Sequence, residues 1–430
     1  MSTLQAALLL FGILFLLILL KLPIAYALLA SSILTLFLSG IPLQMATQRI
    51  VASLDSFSLM AVPFFILAGS LMGAGGISDR LIAFANAMVG HLSGGLAIVS
   101  IVACMFFAAI SGSGAATVAA VGGIMMPYMT KYGYDRSFSA AVNAAAGGIG
   151  IIIPPSIPFV SYAIITGASV TELFTGGITA GFLVGLCLMI TVMLLSKKRA
   201  FPRLKKATWK KRGETFLKAI PALLMPFIIL GGIYSGLFTA VESSVVAVVY
   251  ALFVGAFLYK GLNRENIFQI FLESAKATAQ ILFLIANATL FAWLLTHFRI
   301  ADLAAQSILS LTENPIVILL LMNLLLFFMG TFMDTVASIL IVTPILYPIA
   351  MELGMDPVHL GVFMCSNLAI GQITPPFGVN LFVASGIGKT SFEDLVKELL
   401  PLILAMLMAS LLITFIEPLS MFFVHGMRAS

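Results

Sequence analysis

Two short stretches decide how this chain folds: Gly330-Thr331-Phe332-Met333-Asp334-Thr335, and Gly371-Gln372-Ile373-Thr374-Pro375-Pro376 downstream of it. Asp334 stands between two long apolar runs. Glycine and proline at both ends unwind a helix, because glycine adds backbone freedom and proline removes a donor. Subtracting 221 from each number finds the same layout earlier, without a gap. Pro348 falls on Pro127, Gly354 on Gly133, Asp356 on Asp135, Gly371 on Gly150, and Pro375-Pro376 on Pro154-Pro155. Gly388 falls on Gly167, Glu393 on Glu172, and Asp334 on Ser113 within Ser111-Gly112-Ser113-Gly114. So many matches in one register indicate an internal structural repeat.

Composition sets the solvent. The chain has 430 residues, 61% hydrophobic and 9% charged, whereas a soluble domain carries about 25% charged residues. This is an all-α polytopic membrane protein, since every backbone polar group in lipid needs an internal partner. The short alternating segments of a membrane β-barrel are absent. A net charge of +5 reflects basic connections that orient the chain, not nucleic-acid binding. Cys104, Cys187 and Cys365 lie in separate apolar runs without metal-ligand spacing, so no disulfide framework is expected. Residues 4–20 resemble a signal-peptide core, but Lys21 follows that run instead of preceding it, so the first helix is expected to be retained.

Spans of about 20 apolar residues cross a bilayer. The pattern predicts helices at 4–20, 23–40 and 57–74, an amphipathic stretch at 42–54 and an interfacial helix at 78–91. Two arms, 96–110 and 115–129, flank 111–114 and are too short to span comfortably. They predict a re-entrant hairpin with its tip at mid-membrane. A helix at 138–165 is interrupted at Gly147-Gly148 and Pro154-Pro155, and 172–196 ends the first repeat, 1–196. A basic linker, 197–216, holds nine Lys or Arg within 197–212. The second repeat, 217–430, runs through helices at 217–234, 240–259 and 277–295, and a surface helix near 297–312. A hairpin at 315–348, a broken helix at 359–386 and a last helix at 395–416 complete it.

Each half has five crossings and a hairpin, and an odd count puts the halves in opposite orientations. With the linker in the cytoplasm, both termini fall outside. All of the 22 Lys and Arg then fall inside except Arg49, Arg299 and Arg428.

In this threading Asp334 is the one acidic residue at membrane depth. An ionised group there costs roughly 2.5–3.5 kcal/mol on insertion scales, so it needs a partner or a cavity, and no Lys or Arg shares its depth. A bound cation supplies the charge; the alternative is a protonated Asp334 capping a helix. Ser111, Ser113 and Thr117 on one tip, with Thr331 and Thr335 on the other, bring hydroxyls to the same level. The breaks free backbone carbonyls, because Pro155 and Pro376 cannot donate. Freed carbonyls suit small cations, and half-helix N-termini suit anionic groups. Two inverted copies make two cation sites flanking one substrate site. Small residues here also serve close helix packing. Asn143, Ser156, Ser161 and Asn380 on the broken helices, together with Ser113, are candidate substrate contacts; interhelical hydrogen bonds are the alternative role.

Enzyme classes fit poorly. An intramembrane serine protease using Ser113 needs a histidine at its depth, and His91, His297, His359 and His425 fall near helix ends. An aspartyl protease needs a second buried Asp. No phosphate loop is present, so ATP does not drive the chain directly. A passive channel needs a continuous polar stripe. A proton-coupled transporter using Asp334 as relay stays open.

These residues resemble the large membrane subunit of tripartite ATP-independent periplasmic (TRAP) transporters, over essentially the whole chain. The likeness is most specific at 111–127 (SGSGAATVAAVGGIMMP), 150–158 (GIIIPPSIP), 330–345 (GTFMDTVASILIVTPI) and 371–380 (GQITPPFGVN). The resemblance implies an inverted-repeat, elevator-type transporter with two re-entrant helical hairpins and two broken helices in a bacterial inner membrane. It implies sodium (Na+) as coupling ion and an organic acid as cargo, with sialic acid favoured over C4-dicarboxylates. A periplasmic solute-binding protein delivers the cargo, and a small four-helix subunit, expected on a separate chain, packs on the scaffold. Carried over by motif, one sodium site uses Ser111, Ser113, Gly150, Ile153 and Pro155, and the other uses Thr331, Asp334, Gly371, Thr374 and Pro376.

Overall fold

In the computed structural model the described residues are 2–199, 201, 204–312 and 314–429. Ala200, Pro202 and Arg203 of the predicted linker lie outside them. The described residues form helices and no strand. Lys21, in a left-handed conformation at φ 64°, and Pro23 separate α1 (Thr3–Leu19) from α2 (Ile24–Leu38). Next come α3 (Gln44–Leu54), a 3-10 turn at Phe57–Met60, α4 (Ala61–Ala74) and α5 (Ile77–Val89). A first hairpin pairs α6 (Gly95–Ser111) with α7 (Gly114–Lys131). A first broken helix consists of α8 (Arg136–Gly147), a 3-10 turn and α9 (Ile157–Thr166), before α10 (Val170–Arg199). The later half runs α11 (Trp209–Tyr234), α12 (Ala240–Phe253), α13 (Arg264–His297) and α14 (Ile300–Leu311). The second hairpin is α15 (Pro315–Phe332) with α16 (Thr335–Glu352), and the second broken helix is α17 (Pro357–Gly371) with α18 (Val379–Gly388). Finally come α19 (Phe392–Phe415) and α20 (Pro418–Ala429). Both Pro-Pro bonds, 154-155 and 375-376, are cis.

Among the described residues, eight helical stretches are long and apolar enough to cross a membrane. Along α10, Phe182, Leu186, Ile190 and Leu194 recur every fourth residue and are all exposed, an apolar stripe on the outside of a helix whose other side packs inward.

Four details differ from the sequence reading. The hairpin arms are longer, at 17 residues for α6 and 18 each for α7, α15 and α16, about 26 Å at 1.5 Å per residue. Shortness therefore does not mark them as re-entrant; both hairpin tips line one cavity inside the protein. Helix α13 starts at Arg264 instead of 277, because Asn263 and Asn266 form a reciprocal cap ahead of the charged turn. The linker is shorter, since 197–199 end α10 and 209–216 begin α11, capped by Thr208. Helix α20 lies beyond the last helix that the apolar pattern predicts. Its apolar residues form only a narrow stripe, with Met421 and Val424 buried and Phe422 and Phe423 exposed.

Packing crosses the sequence halves. Helix α4 lies on α12, α7 on α18, α9 on α16, and α10 on both α17 and α19. One group of neighbours links α1, α2, α13, α4, α12, α11 and α5; another links the hairpins, the broken helices, α10 and α19. Arg49 lies over the Trp293 ring, and Arg428 pairs with Glu172 and Asp356 at 2.6 Å each. Elsewhere Arg80 lies over Tyr259, whose hydroxyl donates to the Lys218 carbonyl, and Arg199 pairs with Glu398.

Candidate functional site

At the first tip, α6 ends on Ser111, and Gly112 turns the chain in the left-handed region at φ 63°. Ser113 caps α7, its hydroxyl accepting from the Ala116 N–H at 3.4 Å. The Thr117 hydroxyl donates to the Ser113 carbonyl at 2.8 Å and lies 3.0 Å from the Ser111 hydroxyl. The first break presses directly on this tip. A Cβ on Gly112 would stand 2.6 Å from the Pro155 carbonyl oxygen, and one on Gly150 2.6 Å from both the Ser113 carbonyl oxygen and the Thr117 hydroxyl. Ser111, Ser113, Gly150 and Pro155 are thus brought together. The Ile153 side chain turns away, packing where a Cβ on Gly181 would be 2.2 Å from its Cγ1.

The second tip is built the same way from different residues. Asp334 caps α16 through the Val336 N–H at 2.9 Å, which favours a carboxylate at the positive end of the helix. The Thr331 hydroxyl donates to the Phe328 carbonyl at 2.7 Å, leaving its lone pairs as acceptors. A Cβ on Gly371 would stand 2.3 Å from the Gly330 carbonyl carbon, so tip and break again touch backbone to backbone. In the break, the Thr374 hydroxyl donates to the Ile370 carbonyl, the Thr374 carbonyl accepts from the Gly378 N–H, and Pro376 follows, exposed.

Both tips and both breaks open into one cavity of about 540 Å³. Residues 112–115 and 334–337 supply the tips, with Ile151, Ile157, Gln372 and Val379 from the breaks. Pro23 and the first residues of α2, 24–26, close it together with Gln280, Ile281, Phe283 and Leu284 of α13, with the Tyr26 and Phe283 rings 5.1 Å apart. Asp334 is exposed to this space, and among the described residues none forms an ion pair with it. Hydroxyls, carbonyls and one carboxylate form an all-oxygen donor set, which suits a small hard cation. The N-termini of α7 and α16 present N–H groups to the same cavity, which suits an anion.

The candidate substrate residues divide. Asn143 is fully buried and satisfied, accepting from the Ser100 hydroxyl at 2.6 Å and donating to the Ser139 carbonyl at 2.8 Å. The buried Ser161 donates to the Ile157 carbonyl one turn back. Ser156 caps α9 and donates to the Ile151 carbonyl at 2.6 Å. None of these three lines the cavity. Asn380 is also fully buried and off the cavity wall; it donates to the Ala144 carbonyl of the first broken helix at 3.2 Å, and its oxygen has no donor among the described residues. Gln372 was not singled out as a site residue. It lines the cavity and donates to the Thr335 hydroxyl at 2.9 Å. Its signal was an amide inside an apolar break where the offset position, Ile151, is apolar.

The family described as "Tripartite ATP-independent periplasmic transporter, DctM component" matches residues 11–419. The chain is 45% identical over 419 residues to the isethionate TRAP permease DctMQ of Oleidesulfovibrio alaskensis, covering 96% of this chain and 66% of that one. It therefore spans about two thirds of that relative's length. It is 44% identical to the C4-dicarboxylate large permease DctM of Pseudomonas aeruginosa, covering 85% and 86% of the two chains. Identity to the sialic acid large permease SiaM of Vibrio cholerae is 36%, covering 89% and 90%. In fold it is similar to the Alcanivorax borkumensis YdaH transporter, with a TM-score of 0.57 at 17% identity, covering 88% and 90%.

Proposed function

The chain belongs to the DctM family of TRAP transporters as a large permease subunit, and from that premise we propose that it is a sodium-coupled importer of a small organic anion. Two inverted repeats, 1–196 and 217–430, joined by the cytoplasmic linker 197–216, each supply scaffold helices, a re-entrant hairpin and a broken helix. The hairpins and broken helices move as one body against the scaffold in an elevator cycle. Sodium binds at Ser111, Ser113, Gly150, Ile153 and Pro155, and at Thr331, Asp334, Gly371, Thr374 and Pro376. The anion lies between the tips, where the N-termini of α7 and α16 meet its charge and Ser113 lines the wall.

One observation carries this reading: the carboxylate of Asp334 opens, without a positive partner among the described residues, into a cavity walled by both tips and both breaks. An anion beside that carboxylate is repelled until cations neutralise it, which is the physical basis for coupling. Residues 23–26, next to Lys21 on the linker's side of the membrane, form the scaffold wall of the cavity, so this state faces inward. The membrane is the bacterial inner membrane, with both termini periplasmic. A four-helix small subunit and a periplasmic binding protein complete the machine. Identities run higher to the dicarboxylate and isethionate permeases than to the sialic acid permease, so the cargo we propose is a small carboxylate or sulfonate, with sialic acid the larger alternative.

The test is uptake by the complete transporter in liposomes, with labelled succinate, isethionate and N-acetylneuraminate each supplied beside the binding protein. An inward sodium gradient should drive accumulation of one of them, and Asp334→Ala should abolish it. Full uptake by that variant, or uptake indifferent to sodium, overturns the proposal.

A further inference from the structure

Gln372 sits between two of the proposed sodium-site residues, Gly371 and Thr374, yet its side chain leaves that site. Its amide donates to the hydroxyl of Thr335, the neighbour of Asp334, at 2.9 Å. The other end of the amide lies against the opposite tip: a Cβ on Gly114 would stand 2.1 Å from the Gln372 Oε1. Asn380, on the far side of the same break, reaches the same place. Its nitrogen donates to the Ala144 carbonyl, and a Cβ on Gly114 would be 3.1 Å from its Oδ1. Both side chains are buried, Gln372 to within 8% and Asn380 fully, and neither oxygen has a donor among the described residues. Gly114 adjoins Ser113, whose carbonyl is held by Thr117 and packed on Gly150.

From this arrangement we infer that Gln372 is a positioning residue that couples the two cation sites, so that filling the Asp334 site fixes the tip carrying Ser113. A cation held by the carbonyls around Gly371 and Thr374 immobilises the backbone from which Gln372 projects. Thr335 fixes the near end of the amide, leaving its far end as a stop against Gly114. The glycine is required there, because any side chain would displace the amide. The offset position in the first half, Ile151, has no polar group, so no matching strut runs from the first break to the second tip. Coupling through a contact with two distinct arrangements is reciprocal, so each site raises the affinity of the other. This rests on the two-sodium reading above.

Sodium itself is the probe. The purified chain with its small subunit is titrated with sodium chloride replacing choline chloride, and stabilisation against heat is read. Wild type should titrate with a Hill coefficient approaching about 2, the number of coupled sites. Gln372→Ala should lower it to about 1, and Gln372→Asn, too short to reach Gly114, should do the same. Gly114→Ala should shift the midpoint to higher sodium, and the double variant Gly114→Ala with Gln372→Ala should titrate no worse than Gln372→Ala alone. A wild type insensitive to sodium removes the two-sodium reading and this coupling with it. Steep wild-type binding that stays equally steep in both Gln372 variants, or additive effects at 114 and 372, overturns the coupling alone.

Discussion

Gly371→Ala isolates the contact on which the second cation site depends. The added methyl would lie 2.3 to 2.5 Å from the carbonyl carbon, Cα and oxygen of Gly330. Ordinary van der Waals contact starts near 3.4 Å, so the second break and the second tip must separate by about 1 Å. Both partners are backbone, and no flexible side chain can absorb the shift. Forcing a methyl into a packed contact costs about 1–3 kcal/mol. If that cost falls on the sodium-bound arrangement, at a factor of ten per 1.4 kcal/mol, sodium half-saturation rises by about 5- to 150-fold. Gly330→Ala is the graded partner, because its methyl meets Gly371 Cα at 3.0 Å and needs only a few tenths of an ångström. Gly386→Ala, on α18 beyond the same break, is the control: nothing lies within 4 Å of its Cβ, and alanine favours the helix. The assay is sodium-dependent uptake by the reconstituted transporter. The expected order of sodium half-saturation is Gly371→Ala above Gly330→Ala, with Gly386→Ala at the wild-type value. A Gly371→Ala transporter within twofold of wild type would refute the claim that this contact shapes the site.

Gly150→Ala, whose methyl would meet the Ser113 carbonyl and Thr117 hydroxyl at 2.6 Å, should impair sodium binding at the first site, read by the same titration. Arg428→Ala should lower thermal stability by about 1–2 °C, for about 1 kcal/mol lost from a partly exposed ion-pair network. That difference depends on pH through Asp356: partial burial pushes its carboxyl up, but the Arg428 guanidinium and the Val358 N–H together hold it below the usual range. A depressed carboxyl stabilises fully above its unfolded value of about 3.9 and loses that contribution as pH falls through the folded value. The gap between wild type and variant should therefore be constant from pH 5 to 8, within about 0.5 °C, and close below about pH 4; a gap that persists there rules out the Asp356 pair as its source. Cys104, Cys187 and Cys365 are free and buried, so native background labelling should be low. Tyr26→Cys, at an exposed position in the cavity wall, should react with a membrane-impermeant maleimide from the linker's side only; labelling from the opposite side contradicts the inward-facing assignment.

Much of the fold was legible because lipid leaves a chain few choices. Long apolar runs must be helices, and Gly-Pro clusters inside them must interrupt those helices, so the tips at 111–114 and 332–335 and the breaks at 147–156 and 371–378 were read close to where they occur. Helix ends set by side-chain capping were read less well, as at α13, where the Asn263–Asn266 cap carries the helix through a charged turn. Helix α20 lacks the long apolar run that marks a span. It is held by what it meets, with Arg428 on Glu172 and Asp356, and Ser420 on His359 at 2.6 Å.

By itself, the order of residues determined a helical membrane protein with two matching sets of interrupted helices, and one carboxylate that had to find a cation or a cavity. These follow from local rules, since hydrophobic length, backbone donors and charge desolvation act on each segment wherever it lies. Which segments meet was decided by the tertiary structure. It set Gly371 against Gly330 and Gly150 against Ser113, locked Asn143 and Ser161 into the core, and brought Gln372 from the second half to Gly114 in the first. Contacts between residues on different helices depend on how whole helices pack, and no local pattern encodes that packing.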